Sequence, residues 1–324
     1  MRTIALKKTK VLLVLVGMVT VYSVSTVAPA AAANVTIDLC AEAGVINVPG
    51  GGSVDVWGFV LKSVDPACSG SVTSLPGPVL EVNLDDDVTV TITQGITGHT
   101  ATFEAPGMNV SNPSTDTYTF TADRVGTFGY QSTGDAGRQM AMGLAGALVV
   151  RPGTEAAAFG SENCSGTAGS VYGSGFDGEC LLVLGAIDPA FNADPDGFNM
   201  HEYDATYWLI NEAAYPDTDT LPAPGGARRL LLRYVNAGFD NTAISLVGVH
   251  EQVLAKDAYP LSTPLGTATE ILPAGGTEDA IVTVPSFGAP TTNGFPLFNR
   301  NLHVTNGSGL TYQPLGGMLT FITP

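Results

Sequence analysis

The sequence predicts an all-β protein built from two tandem Greek-key β-sandwiches. Three observations carry that expectation. Runs of alternating apolar and polar residues, about six long, recur roughly every ten residues with turn formers between them. After residue 33 no stretch keeps a helical period of about 3.6 residues over three turns. The two halves of the chain also echo one another, as expected of a duplicated β-domain.

The runs appear in order. Val79–Leu84 and Val88–Thr93 alternate on either side of Asp85-Asp86-Asp87, which reads as a solvated turn. Tyr118–Thr121 and Gly126–Tyr130 continue the pattern, and Ala147–Val150 forms a short continuous apolar run ending at Arg151-Pro152-Gly153. Residues 153–178 are rich in Gly and Ser and read as a connection between two domains, 34–152 and 179–324. The second half follows with Leu181–Leu184, Tyr207–Ile210, Arg229–Val235, Gln252–Ala255, Ala280–Val284 and Met318–Ile322. Pro76-Gly77-Pro78 precedes one strand pair, and Pro222-Ala223-Pro224-Gly225-Gly226 precedes its counterpart.

Residues 1–33 carry Arg2, Lys7, Lys8 and Lys10, then a broken apolar stretch from Val11 to Val27, then the small residues Ala28–Ala33. This is the pattern of a secretory signal peptide cleaved after Ala33, and it predicts a secreted or periplasmic protein. The remaining chain has 9 Lys and Arg against 30 Asp and Glu, a net charge of −21, with Lys62 and Lys256 as its lysines. No basic stripe exists to displace counterions from nucleic acid, and no polybasic segment to hold a membrane surface. The four cysteines, Cys40, Cys68, Cys164 and Cys180, are even in number and lack C-x-x-C spacing, which favours disulfides over a zinc site. Of the three possible pairings, the sequence-local one is expected, Cys40 with Cys68 and Cys164 with Cys180.

Several segments together resemble the tandem cupredoxin domains of the multicopper oxidase superfamily, which includes copper nitrite reductases. In the first half these are Pro76–Val82 with Asp87–Val90, Gly126–Tyr130 and Met142–Val150. In the second they are Tyr207–Asn211 with Tyr215–Thr218, Arg233–Gly238, Leu254–Leu261, Pro296–Asn306 and Gly316–Phe321. The matches run in order from about residue 57 to 322.

The resemblance implies copper ligands, and the residues at those positions are of the wrong kind. A type 1 copper takes two imidazoles, a thiolate and a weak axial Met. Here the family's H-x-x-x-F-H segment keeps His99 but has Glu104 at its end, and Y-H-C reads Tyr130-Gln131-Ser132. Gln139 and Leu144 stand where the second imidazole and the axial Met are expected. In the second domain the His-rich segment aligns with Thr242, Ser245, Val247 and His250. A trinuclear cluster takes about eight imidazoles, whereas the sequence holds four, His99, His201, His250 and His303.

The expectation is therefore an exported binding or assembly module without a complete copper site, with no cofactor and with His99 and His250 as vestiges. The alternative is a copper-dependent oxidoreductase, laccase- or nitrite-reductase-like, whose site is completed by a partner chain or another metal. Two-domain members are usually trimers, so the resemblance implies a homo-oligomer; the sequence names no other partner. Asp194-Pro195-Asp196-Gly197 reads as a turn, since it lacks the spacing of a calcium loop. No nucleophile elbow, zincin or phosphate-loop motif is present.

Overall fold

The computed structural model describes residues 32–49, 52–70, 74–153, 159, 163–223, 228–285, 291–307 and 315–323. The expected signal peptide, apart from its last two residues, lies outside them. The first sandwich is formed by β1 (Asn34–Val48), β2 (Gly52–Leu61), β3 (Leu80–Asn83), β4 (Asp87–Gln94), β5 (Ser111–Ser114), β6 (Thr117–Thr121), β7 (Gly126–Gln131) and β8 (Ala145–Arg151), with a one-turn helix α1 (Arg138–Ala141) before β8. Its two sheets have the orders β2-β1-β4-β6-β5 and β3-β8-β7. The second part contains β9 (Cys164–Ser165), β10 (Gly169–Val171), β11 (Ser174–Phe176), β12 (Gly178–Ile187), the short helix α2 (Pro189–Ala193), β13 (Tyr207–Ile210), β14 (Leu221–Pro222), β15 (Arg229–Asn236) and β16 (Thr242–Leu246). It continues with β17 (Glu251–Lys256), β18 (Tyr259–Thr267), β19 (Thr269–Leu272), β20 (Thr277–Thr283), β21 (Phe295–Asn299) and β22 (Leu319–Thr323). Its sheets run β13-β12-β15-β20-β17-β18, with β9 also on β12, and β14-β22-β21-β16-β19.

Each sandwich contains two parallel strand pairs, β1 with β4 and β3 with β8, then β12 with β15 and β14 with β22. Parallel neighbours cannot be joined by a tight hairpin, so the chain crosses between sheets as a Greek key does. The alternation read from sequence is explained by burial: Val88, Val90 and Ile92 of β4 face the core while the intervening threonines are only partly buried. The continuous run in β8 has a different cause. Leu148 and Val150 enter the first core, and Ala147 and Val149 pack on Leu181, Val183 and Val235 of the second domain. A strand buried on both faces reads as unbroken apolar sequence. Strands β9–β11 lie within the stretch read from sequence as a Gly/Ser-rich connection; β9 is held to β12 at Cys164 and Cys180, where a disulfide joins them.

Charged groups are buried between the two sandwiches. Arg151 donates to Glu81 at 2.7 Å and also pairs with Glu179, which accepts from Arg233 at 2.6 Å. Arg233 in turn reaches Asp279 at 3.3 Å, and Asp279 accepts hydroxyl protons from Thr127 and Tyr172 at 2.6 and 2.7 Å. Burying charge is costly unless it is paired and hydrogen-bonded, and here each arginine has two acidic partners. Gly126 marks how close the domains come. It has φ 139°, and a Cβ there would lie 2.1 Å from the Tyr172 hydroxyl.

The chain between β12 and β13 packs away from its own sandwich. Phe191 of α2 is fully buried in the first domain's core cluster, with Phe198, Met200 and Tyr203 against it. Asn192 donates to the Asp55 carbonyl at 2.7 Å, and Arg138 donates to the carbonyls of Pro195 and Phe198 at 2.6 and 3.1 Å. This strap covers one end of the first sandwich.

Candidate functional site

Four of the positions singled out in the first domain come together at that strapped end. His99 lies in the loop after β4, Ser132 one residue past β7, Gln139 in α1 and Leu144 just before β8. Ser132, Gln139 and Leu144 are completely buried. Ser132 donates its hydroxyl proton to Gln139 Oε1 at 2.6 Å and accepts the Thr102 N–H at 2.8 Å. Gln139 Nε2 donates to Asp135 Oδ2 at 2.7 Å and to the Thr100 carbonyl at 3.2 Å. The same Asp135 oxygen lies 2.7 Å from His99 Nδ1. Leu144 closes the group through its backbone: its N–H donates to the Gln139 carbonyl, and its carbonyl accepts the Ser132 N–H. The His99 ring packs on Trp57, centroids 4.4 Å apart, and its Nε2 lies 3.6 Å from Asp196 of the strap.

The local chain is shaped for this network. Gly134 lets the Gln139 amide lie across the turn, since a Cβ on Gly134 would meet that amide at 2.5 Å. The hydrogen bond from Gln139, with further help from His99 and Arg138, holds the Asp135 carboxyl below the usual carboxylate range against the opposing effect of burial. Both donor hydrogens and the oxygen of Gln139 are used, as buried amides require.

Gln131 and Glu104 stand apart from this group. They form an isolated antiparallel bridge, each backbone N–H donating to the other's carbonyl at 2.8 and 2.9 Å. Successive side chains along an extended chain point to opposite faces, so Gln131 is directed away from buried Ser132. Glu104 is exposed and accepts from the Thr133 hydroxyl at 2.9 Å.

The second-domain positions do not converge. Thr242 and Ser245 are buried in β16, where Ser245 bonds the Thr269 hydroxyl at 2.8 Å, whereas Val247 and His250 are exposed beyond its end. Thr242 and Val247 are five residues apart on extended chain, a separation of roughly 16 Å. His201 is exposed in a 3-10 turn, and His303 stacks on Trp208 with centroids 4.3 Å apart; burial lowers its pKa and favours the neutral ring. Asp194 accepts the Gly197 N–H at 3.1 Å in an exposed turn.

The first-domain group offers one imidazole, one hydroxyl, one amide and an isobutyl side chain. That donor set does not fit a type 1 copper, which requires a thiolate and a second imidazole. Among the described residues the one group of three or more His, Cys, Asp or Glu atoms close enough for a common ion is Cys40, Glu42 and Cys68, whose sulfurs are joined in a disulfide. The cavity between the domains, lined by Leu75, Met140, Met142, Val183, Ile187 and Leu209 among others, holds about 40 Å³. An apolar cavity that admits benzene measures roughly 150 Å³. Sequence reading missed Trp57, Asp135 and Arg138 and took Asp196 as part of a turn alone. No local motif marks a role here, because His99 is 42 residues from Trp57, 36 from Asp135 and 97 from Asp196, and Arg138 is 57 and 60 from the carbonyls it reaches.

This architecture is the tandem cupredoxin fold of multicopper oxidases and copper nitrite reductases. Similar solved structures include a blue copper oxidase from Nitrosomonas europaea, with TM-score 0.69 and 23% identity over 90% of this chain and 85% of that one. The multicopper oxidase mgLAC gives TM-score 0.68 and 21% identity over 90% and 86% of the two chains. A copper nitrite reductase from Nitrosomonas europaea gives TM-score 0.65 and 17% identity over 90% and 94%. No family model matches the sequence, and no curated protein does.

Proposed function

We propose that this chain is an exported cupredoxin pair that has lost its copper chemistry and serves as a non-enzymatic binding or assembly module, working as a homo-oligomer. The observation that carries this reading is the Ser132–Gln139 hydrogen bond at 2.6 Å, made by two fully buried side chains at the positions where the family's thiolate and imidazole stand. A metal-binding pocket keeps its donors turned inward and available. Here the donors are spent on one another, and His99 Nδ1 is spent on Asp135. The two disulfides suit an oxidising compartment, in line with export.

Metal analysis of the purified protein after exposure to excess Cu(II) and removal of unbound metal tests the reading. The expected result is less than stoichiometric copper and no blue thiolate-to-copper absorbance. One tightly held copper per chain would overturn it and favour an oxidoreductase.

A further inference from the structure

We propose that Cys40, Cys68 and Glu42 form a divalent-metal site in the chain before its disulfide closes, with Zn²⁺ as the class of ion it takes. Cys40 and Glu42 are two residues apart on β1 and therefore share a face of the strand. Cys68 comes from the connection after β2. The two sulfurs and a Glu42 carboxylate oxygen all lie within 4.8 Å of one another.

Glu42 is the observation that calls for a ligand. It is 1% exposed; Oε1 has no hydrogen-bond donor among the described residues, Oε2 accepts the Gly70 N–H at 3.1 Å, and the Asp65 carboxyl lies beside it as a like charge. Two carboxyls facing one another in a buried corner are costly to keep charged, the disulfide offers neither a donor, and a cation would relieve both. Thiolates and carboxylates are both zinc ligands, with bonds of about 2.3 Å to sulfur and 2.0–2.2 Å to oxygen. Around one such ion the donor atoms sit roughly 3.5–3.8 Å apart, by the same bond lengths. Opening the S–S bond therefore asks for a modest separation, which the Cys68 connection can supply while Cys40 stays fixed in its sheet. The other disulfide, Cys164–Cys180, has no such group of ligand atoms around it among the described residues.

The chemistry balances without further partners. An external dithiol delivers two electrons and two protons to the disulfide, yielding two thiols and its own cyclic disulfide. On binding, Zn²⁺ displaces the two thiol protons and takes the Glu42 oxygen as third ligand, with water as the fourth. Every newly made chain passes through the dithiol state before oxidation, so the ion would hold β1 to the loop that the disulfide later fixes.

The test uses the full chain reduced with dithiothreitol, freed of reductant without oxygen, and titrated with Co²⁺ as a spectroscopic stand-in and then Zn²⁺. The expected result is a thiolate-to-cobalt band of one ion per chain that Zn²⁺ displaces and that the oxidised protein lacks. Glu42→Gln should bind at least tenfold more weakly while keeping two thiolate ligands per ion. Cys40→Ser with Cys68→Ser should abolish the band, and Cys164→Ser with Cys180→Ser should leave it. A band that survives in the first double variant, or Glu42→Gln binding as tightly as the native chain, would overturn the site. Circular dichroism of each reduced variant shows that it is folded. If the double variants unfold, the Glu42→Gln comparison alone decides.

Discussion

The hydroxyl of Ser132 donates to Oε1 of Gln139 at 2.6 Å, with neither side chain reachable by solvent. Seven residues apart in sequence, they meet because the turn at Asp135–Gly137 folds α1 back over the end of β7. The bond ties the first sandwich together at its strapped end and fixes how the pocket answers substitution.

Copper binding should be recoverable. Ser132→Cys, Gln139→His and Leu144→Met together, with His99 kept, supply a thiolate, two imidazoles and an axial thioether on a compatible scaffold. Gln131 is left out because it faces away. The triple variant loaded with Cu(II) should show blue absorbance that the native protein lacks; a colourless, folded triple variant would mean these positions are not the ligand frame.

Gln139→Ala should destabilise the protein by about 2–4 kcal/mol, because it strands the Ser132 hydroxyl and removes one donor from Asp135. Urea denaturation at neutral pH measures it. Ser132→Ala strands both the Gln139 oxygen and the Thr102 N–H, and should cost a similar amount.

Stability should fall as pH rises from about 5 to 8. Burial pushes the Glu251 carboxyl up to about 7, opposed by the hydrogen bond from Tyr234. Glu278 is pushed up to about 8 by burial and by Glu251, opposed by Lys256. Glu270 is the other charge facing them, and it is paired with Lys256. Both acids bind protons more tightly folded than unfolded, where the ordinary value is 4.5. Their contribution is therefore fully present below that value and is lost as pH passes through 7 and 8. Glu278→Gln should stabilise at pH 8 and flatten the profile; thermal melts across this range would show otherwise if its slope were unchanged.

Arg233→Ala should cost about 3–5 kcal/mol, since it leaves Glu179 and Asp279 buried with less positive charge between the domains. Calorimetry should show the loss. A change below about 1 kcal/mol would mean that water replaces the guanidinium.

Much of this protein was legible in its residues. Alternation in β4 named Val88, Val90 and Ile92 as core, and the segment matches from residue 57 onward named the fold. The even cysteine count favoured disulfides, and the sequence-local pairing expected from it, Cys40–Cys68 with Cys164–Cys180, is the one present. These features are legible because strand periodicity is local, and because a resemblance in order along the chain carries topology with it.

Only the tertiary structure decided what those side chains do instead. It brought Asp135 between His99 and Gln139, turned Gln131 away with Glu104, and laid a strap from the second domain over the first, with Asp196 facing His99. It also buried Arg151 and Arg233 among acids, in strands that read simply as apolar. The contacts of His99 with Asp135 and Asp196, 36 and 97 residues away, leave no periodic trace, because each is fixed by how the chain packs and not by its neighbours in sequence.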